Sequence, residues 1–274
     1  MRILVVGYGY VGKAMTDMLL RKYDIDIYDP NKIVGWKHEA HNHEAYTVKM
    51  ENYLEDQYDL IVVCVPTPSD SDGSCNTGIV EKVIKETNGD LYLIKSTVEP
   101  ETTESLMNKT GKSIVFSPEY VGESKYFNSY FPDNMIEVPF VILGGREDDT
   151  QEIVDILLPI LGPEKKYIQM SSLEAEIAKY MENTFFSMKI TYCQEMFDLC
   201  ESVGADWHKV REGWLADPRI NPMHTAVFRN DRGFGGKCLP KDTKALVRYC
   251  QKSGSPSAIL EAVLEKNKKL RKEE

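Results

Sequence analysis

Residues 233–242 read GFGGKCLPKD, and they hold the most reactive chemistry in the chain. Glycines bend the backbone, a lone cysteine follows, and Leu-Pro-Lys-Asp opens a helix. Pro240 suits its first turn, where an absent N–H leaves no intrahelical bond unmade. Cys238 therefore stands just ahead of a helix N-terminus with Lys237 and Lys241 beside it. Positive partial charge at such a place favours the thiolate, the form that attacks carbon. Asp242 lies one turn further on and can face the same point. The competing reading is a glycine turn around a small buried thiol.

A second chemical pattern sits at the other end. Gly7, Gly9 and Gly12, with Tyr10 and Val11 between them, form GYGYVG directly after the apolar stretch RILVV and directly before AMTDMLLRKY. In the G-x-G-x-x-G pattern the first glycine makes the tight turn, the second lets a pyrophosphate approach the backbone, and the third lets helix and strand close together. A second strand, YDIDIYDP, ends in Asp29, roughly 20 residues on, where an acid bonds the ribose hydroxyls of NAD and repels the 2′-phosphate of NADP. A βαβ unit that binds nothing is the alternative. Lys179 and Asn183 are four apart in a helical stretch and share one face; a solvated helix surface is the ordinary explanation. Glu119 follows Pro118 at the end of an apolar run, which makes it a better acid/base candidate than a surface glutamate.

These residues need elements to hold them. YDLIVVCVPTP (58–68) carries a continuous apolar run, as expected of a parallel strand buried on both faces, and LYLIKSTV (91–98), SIVFSPE (113–119) and PFVILGG (139–145) read as further strands of the same kind. Each ends in polar or turn residues: Pro66-Thr67-Pro68, Ser96-Thr97, Glu119. In doubly wound sheets ligands bind beyond the C-terminal strand ends. Thr77 is placed to cap the helix after the SDSDGSCNTG loop. Residues 30–57 are polar and poorly periodic, and assign no element. A helix near 148–161 and a strand KYIQM close this half. From Ser171 one long helix runs to Gly204, capped by Ser171 or Ser172. Its apolar residues (among them Ile177, Met181, Phe185 and Tyr192) recur at helical spacing, and its roughly 45 Å length suits a spine between domains or subunits. A short helix follows at 207, then helices near 240–252 and 256–272. The fold class is α/β: a Rossmann-type doubly wound domain over 1–170, then an all-helical domain over 171–274 built on the long helix.

Composition narrows the function. Over 274 residues the formal charge is −10, which excludes a general nucleic-acid surface. No run of about 18 apolar residues and no leader-like segment appears, so the reading is a cytoplasmic protein that does not enter membranes. The six cysteines are scattered rather than paired in a framework, which suits a reducing compartment. His38, His41 and His43 lack the spacing of a metal site, and no metal is expected.

The motifs GYGYVG, Asp29, VPTP, STV, SPE, AKYMEN, DPRI and GFGGKCLPKD occur in one order along nearly the whole chain. Together they resemble the UDP-glucose/GDP-mannose dehydrogenase family. The resemblance implies NAD-dependent, four-electron oxidation of a sugar primary alcohol to the carboxylate, UDP-glucose 6-dehydrogenase-like and serving polysaccharide biosynthesis. It implies that Asp242 and Lys179 take the hydroxyl proton through a water and that Lys179 and Asn183 steady the oxyanion. Cys238 is to trap the aldehyde as a thiohemiacetal and carry a thioester, which Glu119 and Thr97 hydrolyse with a held water. Gly7, Gly9, Tyr10, Val11, Gly12, Asp29, Pro66, Thr67 and Thr97 are to hold NAD. Glu119, Glu123, Lys179, Asn183, Arg219 and Gly235 are to contact the sugar, with Arg219 reaching into a neighbouring subunit of a homodimer. Lys125 lies in the same sugar-lining loop. Family members usually run on into a third domain that holds the nucleotide, and this sequence stops about where it would begin, so the substrate is a sugar nucleotide or a smaller sugar. Two other functions compete. A two-electron hydroxy-acid-type dehydrogenase needs no thiol, and a non-catalytic NAD-binding remnant has no reason to keep the full residue set.

Overall fold

The computed structural model describes residues 1–32, 35–38, 43–47, 50–120, 132 and 134–272, with backbone alone at 35–38 and 50–52. The chain divides into two compact units, Met1–Pro68 with Asn76–Lys179, and Ser69–Cys75 with Tyr180–Glu274. The division falls inside the long helix rather than at its start, and Ser69–Cys75, in the loop that follows the Val62-Val63 strand, go with the second unit.

The first unit runs β1 (Ile3–Val6), α1 (Tyr10–Leu19), β2 (Ile25–Tyr28), β3 (Gly35–His38), β4 (His43–Thr47), α2 (Met50–Glu55), β5 (Gln57–Val63), α3 (Gly78–Glu86), β6 (Asn88–Ile94), α4 (Thr102–Thr110), β7 (Ser113–Phe116), β8 (Phe140–Gly144), α5 (Glu147–Leu161) and β9 (Lys166–Met170). The strands form one sheet in the order β3-β4-β2-β1-β5-β6-β7-β8-β9. The pairs from β4 through β2, β1, β5 and β6 to β7 are parallel, whereas β3 on β4 and β8 on β7 are antiparallel. This is the doubly wound α/β arrangement, whose crevice opens between β1 and β5, where the strand order reverses. Both faces are buried, as the unbroken apolar runs require. Met15, Leu19, Ile153 and Leu157 from α1 and α5 pack on one face, and Val80, Ile84 and Leu106 from α3 and α4 on the other.

Three expectations are corrected. The 30–57 stretch holds β3, β4 and α2. The strands stop earlier than the apolar runs: β5 ends at Val63 and β6 at Ile94, so Cys64–Pro68 and Lys95–Val98 are loop. Thr77 takes the N-cap position of α3 without capping it; its hydroxyl donates to Glu81 and the Gly78 N–H donates to Asn76 instead. Of the histidine cluster, His41 and the His38 side chain lie outside the described residues, while His43 pairs with Asp24 at 3.1 Å. Among the described residues no His/Cys/Asp/Glu group could hold a metal, and no helix is long and apolar enough to cross a membrane.

The second unit is helical: most of α6 (Ser172–Val203), then α7 (Trp207–Leu215), α8 (Leu239–Ser253) and α9 (Ala258–Arg271). A capping box opens α6, with the Glu174 N–H donating to Ser171 Oγ and the Ser171 N–H to Glu174 Oε2. Gly204 ends it at φ +71°, and the Ala205 N–H closes back on the Cys200 carbonyl at 2.9 Å. Phe197, Cys193, Cys200 and Trp207 make the core at the far end of α6.

Candidate active site

The glycine turn explains itself sterically. Gly7 has φ +90°, and a Cβ there would stand 2.5 Å from the Cys64 carbonyl oxygen. A Cβ on Gly12 would stand 1.9 Å from the Gly7 carbonyl oxygen. Gly9 meets nothing within 4 Å, so its missing side chain leaves open space at the N-terminus of α1. No acidic residue stands in the first turn of α1 and no side chain caps it, so the helix turns its positive end toward that space, which favours a bound pyrophosphate. Tyr10 and Val11 form its first positions. Asp29, just past β2, accepts the Tyr8 N–H at 2.8 Å and the Asn31 N–H at 2.9 Å, which fixes an acid beside the turn. The chain thus supplies both halves of a dinucleotide site, turn and ribose acid.

The loops after β5 and β6 are tied together beyond the sheet. Thr67 Oγ1 donates to the Thr97 carbonyl at 2.8 Å and Ser96 Oγ to the Val65 carbonyl at 2.7 Å, with Pro66 exposed between. Glu119 lies past β7 and is nearly buried. Lys95 Nζ stands 3.4 Å from its carboxylate and donates to Ser117 Oγ and the Pro118 carbonyl, while the Tyr120 N–H donates to Glu119 Oε1. Lys179 Nζ lies 4.7 Å from the centroid of the Tyr120 ring, an attractive cation–π arrangement. The first unit therefore gathers Lys95, Glu119, Tyr120 and Lys179. Sequence reading passed over Lys95, although it directly precedes the Ser96-Thr97 pair. It also missed Glu176, one turn before Lys179. That buried carboxylate accepts the N–H groups of Glu101 (2.7 Å) and Thr103 (2.9 Å) and the Thr103 hydroxyl (2.6 Å) at the start of α4. Burial pushes its pKa up to about 7 despite those bonds.

In the second unit Cys238 is the N-cap residue of α8 and the one exposed cysteine of the six, all of which are free. The exposure of Cys238 goes against the buried-thiol reading; Cys75, Cys193 and Cys200 are the buried thiols, and desolvation pushes the thiol of half-buried Cys64 up to about 12. The Asp242 N–H donates to the Cys238 carbonyl at 2.8 Å, closing the first turn of α8. Asp242 is 1% exposed. Its Oδ2 accepts from Asn183 Nδ2 at 2.6 Å, and Lys241 Nζ stands 2.6 Å from its Oδ1. One turn along α6 and one residue along α8, the Thr243 hydroxyl donates to Ser187 Oγ at 2.8 Å. Lys179 and Asn183 are both buried, so the solvated-surface reading of that pair is overturned.

Two expected sugar contacts look different in the structure. Arg219 has an 86% exposed side chain, its guanidinium forked onto Asp217, and is not brought to the Cys238–Asp242 group. A Cβ on Gly235 would stand 3.1 Å from Arg271 Nη2, so packing within the helical unit already accounts for that glycine. Glu123 and Lys125 lie outside the described residues.

A model of the UDP-glucose/GDP-mannose dehydrogenase family NAD binding domain matches residues 1–159, and one of its central domain matches residues 173–269. UDP-glucose 6-dehydrogenase of Rickettsia bellii is 28% identical over 302 residues, which cover 98% of this chain and 67% of that protein. UDP-glucose 6-dehydrogenase of Pseudomonas aeruginosa is 28% identical over 306 residues, covering 97% and 65%. The chain thus spans about two thirds of the length of these relatives. Among solved structures, a UDP-glucose dehydrogenase from Pyrobaculum islandicum aligns with a TM-score of 0.80 at 24% identity, over 98% of this chain and 68% of that one. This last likeness is one of fold.

Proposed function

Because the chain belongs to the UDP-glucose/GDP-mannose dehydrogenase family, with NAD as its cofactor, we propose that it oxidises the primary alcohol of a nucleotide sugar to the carboxylate in two steps, through Cys238. One observation carries the reading: an exposed thiol at the N-cap of α8, one turn from a buried aspartate that an α6 asparagine holds. A reaction stopping at the carbonyl needs no such thiol.

NAD, when bound, accepts hydride from the carbon being oxidised, once per step. The open space at Gly9, the α1 N-terminus and Asp29 suit its pyrophosphate and ribose, and Pro66, Thr67 and Thr97, on the tied loops after β5 and β6, are proposed to complete its site. Asp242 and Lys179 take the hydroxyl proton through a water. Lys179 and Asn183 donate to the oxygen that gains charge, as preorganised donors do. The Cys238 sulfur adds to the aldehyde carbon and its proton passes to the oxygen, forming a thiohemiacetal that cannot diffuse away. Loss of a second hydride and the hydroxyl proton leaves the thioester. Glu119 draws a proton from a water held with Thr97; that water adds to the thioester carbon, and the departing sulfur is released as the thiol. The substrate is a sugar nucleotide or a smaller sugar.

A homodimer is the proposed assembly. Ile177, Met181, Phe185, Tyr192, Leu199 and Val203 form an exposed apolar line along α6, with Met181 71% exposed. Large apolar residues in such a row call for cover, and in the proposed dimer exposed Arg219 would exchange Asp217 for the second copy.

The test is NADH release at saturating NAD with UDP-glucose, UDP-N-acetylmannosamine and GDP-mannose. Two NADH per sugar in the wild type, with Cys238→Ser stalled or inactive, is the expected outcome. One NADH per sugar with the aldehyde as product refutes the thioester route.

A further inference from the structure

The stretch from Phe234 to Cys238 carries two consecutive glycines, Gly235 and Gly236, the latter at φ +79°. Such a segment has more backbone freedom than a nucleophile can tolerate unless something outside it fixes its path. That fixing comes from α9. Asn267 is buried and turns both edges of its amide to the main chain of Phe234: Oδ1 accepts the Phe234 N–H at 2.7 Å, and Nδ2 donates to the Phe234 carbonyl at 3.0 Å. It satisfies the backbone as a neighbouring strand would. Gly233 makes the approach possible, because a Cβ there would stand 2.4 Å from Asn267 Oδ1. One turn on, Arg271 lies against Gly235 and donates to Asp231 at 2.7 Å. On the opposite flank Arg232 donates to Asp198 of α6 at 2.6 Å and also to Gln194. The loop is pinned from α9 and from α6 immediately before it delivers the sulfur.

We propose that Asn267, backed by Arg271, is a positioning residue for Cys238: its amide holds Phe234 in a fixed place, so the end of α9 sets where the sulfur stands at the N-terminus of α8. Asn267 touches neither the thiol nor any reacting atom, and it acts through Phe234 and the two glycines. The proposal rests on the reading of Cys238 as nucleophile, but the geometry it concerns can be tested without turnover.

The experiment uses the full chain with Asn267→Ala, Asn267→Asp and, as a control on the exposed side of α9, Lys268→Ala. Each is first checked for wild-type secondary structure by circular dichroism. Iodoacetamide alkylation of Cys238 is then followed by peptide mass spectrometry relative to Cys250 in the same molecule, and NADH release is measured in parallel. A sulfur that leaves the α8 N-terminus loses the N–H groups that favour its reactive form. The Cys238-to-Cys250 rate ratio is expected to fall at least ~3-fold in Asn267→Ala. It should fall more than ~2-fold in Asn267→Asp, which keeps the acceptor for the Phe234 N–H but loses the donor to the Phe234 carbonyl, and should not move in Lys268→Ala. In turnover kcat should fall ~10- to ~100-fold in Asn267→Ala, as misplacement of a reacting group predicts, with KM for NAD unchanged. Wild-type alkylation and kcat in a folded Asn267→Ala overturn the proposal. If Asn267→Ala does not fold, the partial variant decides: Asn267→Asp alkylating Cys238 less than half as fast as Lys268→Ala, at unchanged KM for NAD, supports it, and equal rates overturn it. No NADH from the wild type with any sugar, combined with the expected alkylation pattern, supports the clamp and refutes the reaction instead.

Discussion

Replacing Glu176 by glutamine should flatten the pH dependence of stability between weakly acid and neutral solution. The carboxyl is fully buried, and burial raises its pKa from 4.5 to about 7. The folded protein therefore holds that proton more tightly than the unfolded chain does. The stability this contributes is complete below pH 4.5 and is lost as pH rises through about 7. A shift of about 2.5 units at ~1.36 kcal/mol each gives a loss of about 3 kcal/mol across the window. Glutamine has no proton to lose. It also turns an amide N–H₂ toward the Glu101 or Thr103 N–H, a fixed penalty of ~1–3 kcal/mol that is the same at both ends of the window and cancels from the slope. His224 titrates nearby with the opposite sign, because burial, then Lys189, lowers its pKa. Its contribution is present above the ordinary value of 6.5 and lost as pH falls, equally in both proteins. Urea unfolding followed by circular dichroism at about pH 5 and about pH 8 should show wild type losing ~3 kcal/mol more than Glu176→Gln. Amide exchange at Glu101 and Thr103 should localise the difference. Parallel pH profiles in the two proteins would refute the argument, since they would mean that Glu176 does not change its protonation between those conditions.

Three further outcomes follow from the same geometry. Gly9→Ala should melt within ~2 °C of wild type yet bind NAD at least ~10-fold more weakly by calorimetry, because the added methyl enters the space kept for the pyrophosphate; Gly12→Ala, whose Cβ meets the Gly7 carbonyl oxygen at 1.9 Å, should lose ~3 kcal/mol or fail to fold. Lys95→Met should take the ammonium away from the nearly buried Glu119 carboxylate, which keeps the Tyr120 N–H, costing ~3 kcal/mol and slowing release of the second NADH more than the first. A Met181→Glu, Phe185→Glu double variant should convert a dimer to a monomer by light scattering at micromolar concentration, and a monomeric wild type would dispose of the dimer.

What could be read from the sequence was what its physics keeps local. The glycine turn is such a case: Gly7 and Gly12 are demanded by atoms within the same strand–turn–helix and by the strand beside it. The capping box of Ser171 and Glu174, the end of α6 at Gly204 and the Cys238–Pro240 opening of α8 are likewise short-range. Lys95 and Glu176 were not legible, because their partners lie at Glu119 and at Glu101 and Thr103, brought close only by strand order and helix packing. The β4 strand was hidden for another reason. It is short and near the sheet edge, with Ala45 its one fully buried residue, so no apolar run or alternation marks it.

The long helix shows why apolar spacing alone misdirects. Its line of large apolar residues suggests a core face, and a helix free in water would turn that line inward. In the folded chain Met181, Phe185, Tyr192 and Leu199 face out, while Glu176, Lys179, Asn183, Ser187, Thr191 and Gln194 are buried. The inward face is chosen by hydrogen bonds. Glu176 caps α4, Asn183 holds Asp242, Ser187 meets Thr243, and Gln194 receives Arg232. Each of these polar side chains would cost ~1–3 kcal/mol if buried without its partner, so the inward face is stable only because its partners are built in opposite it. Around these polar groups the inward side still buries Tyr180, Cys193, Phe197 and Cys200, so the outward line holds only part of the helix's apolar residues. The outward line on α6 is what that arrangement leaves exposed, and the proposed homodimer would cover it.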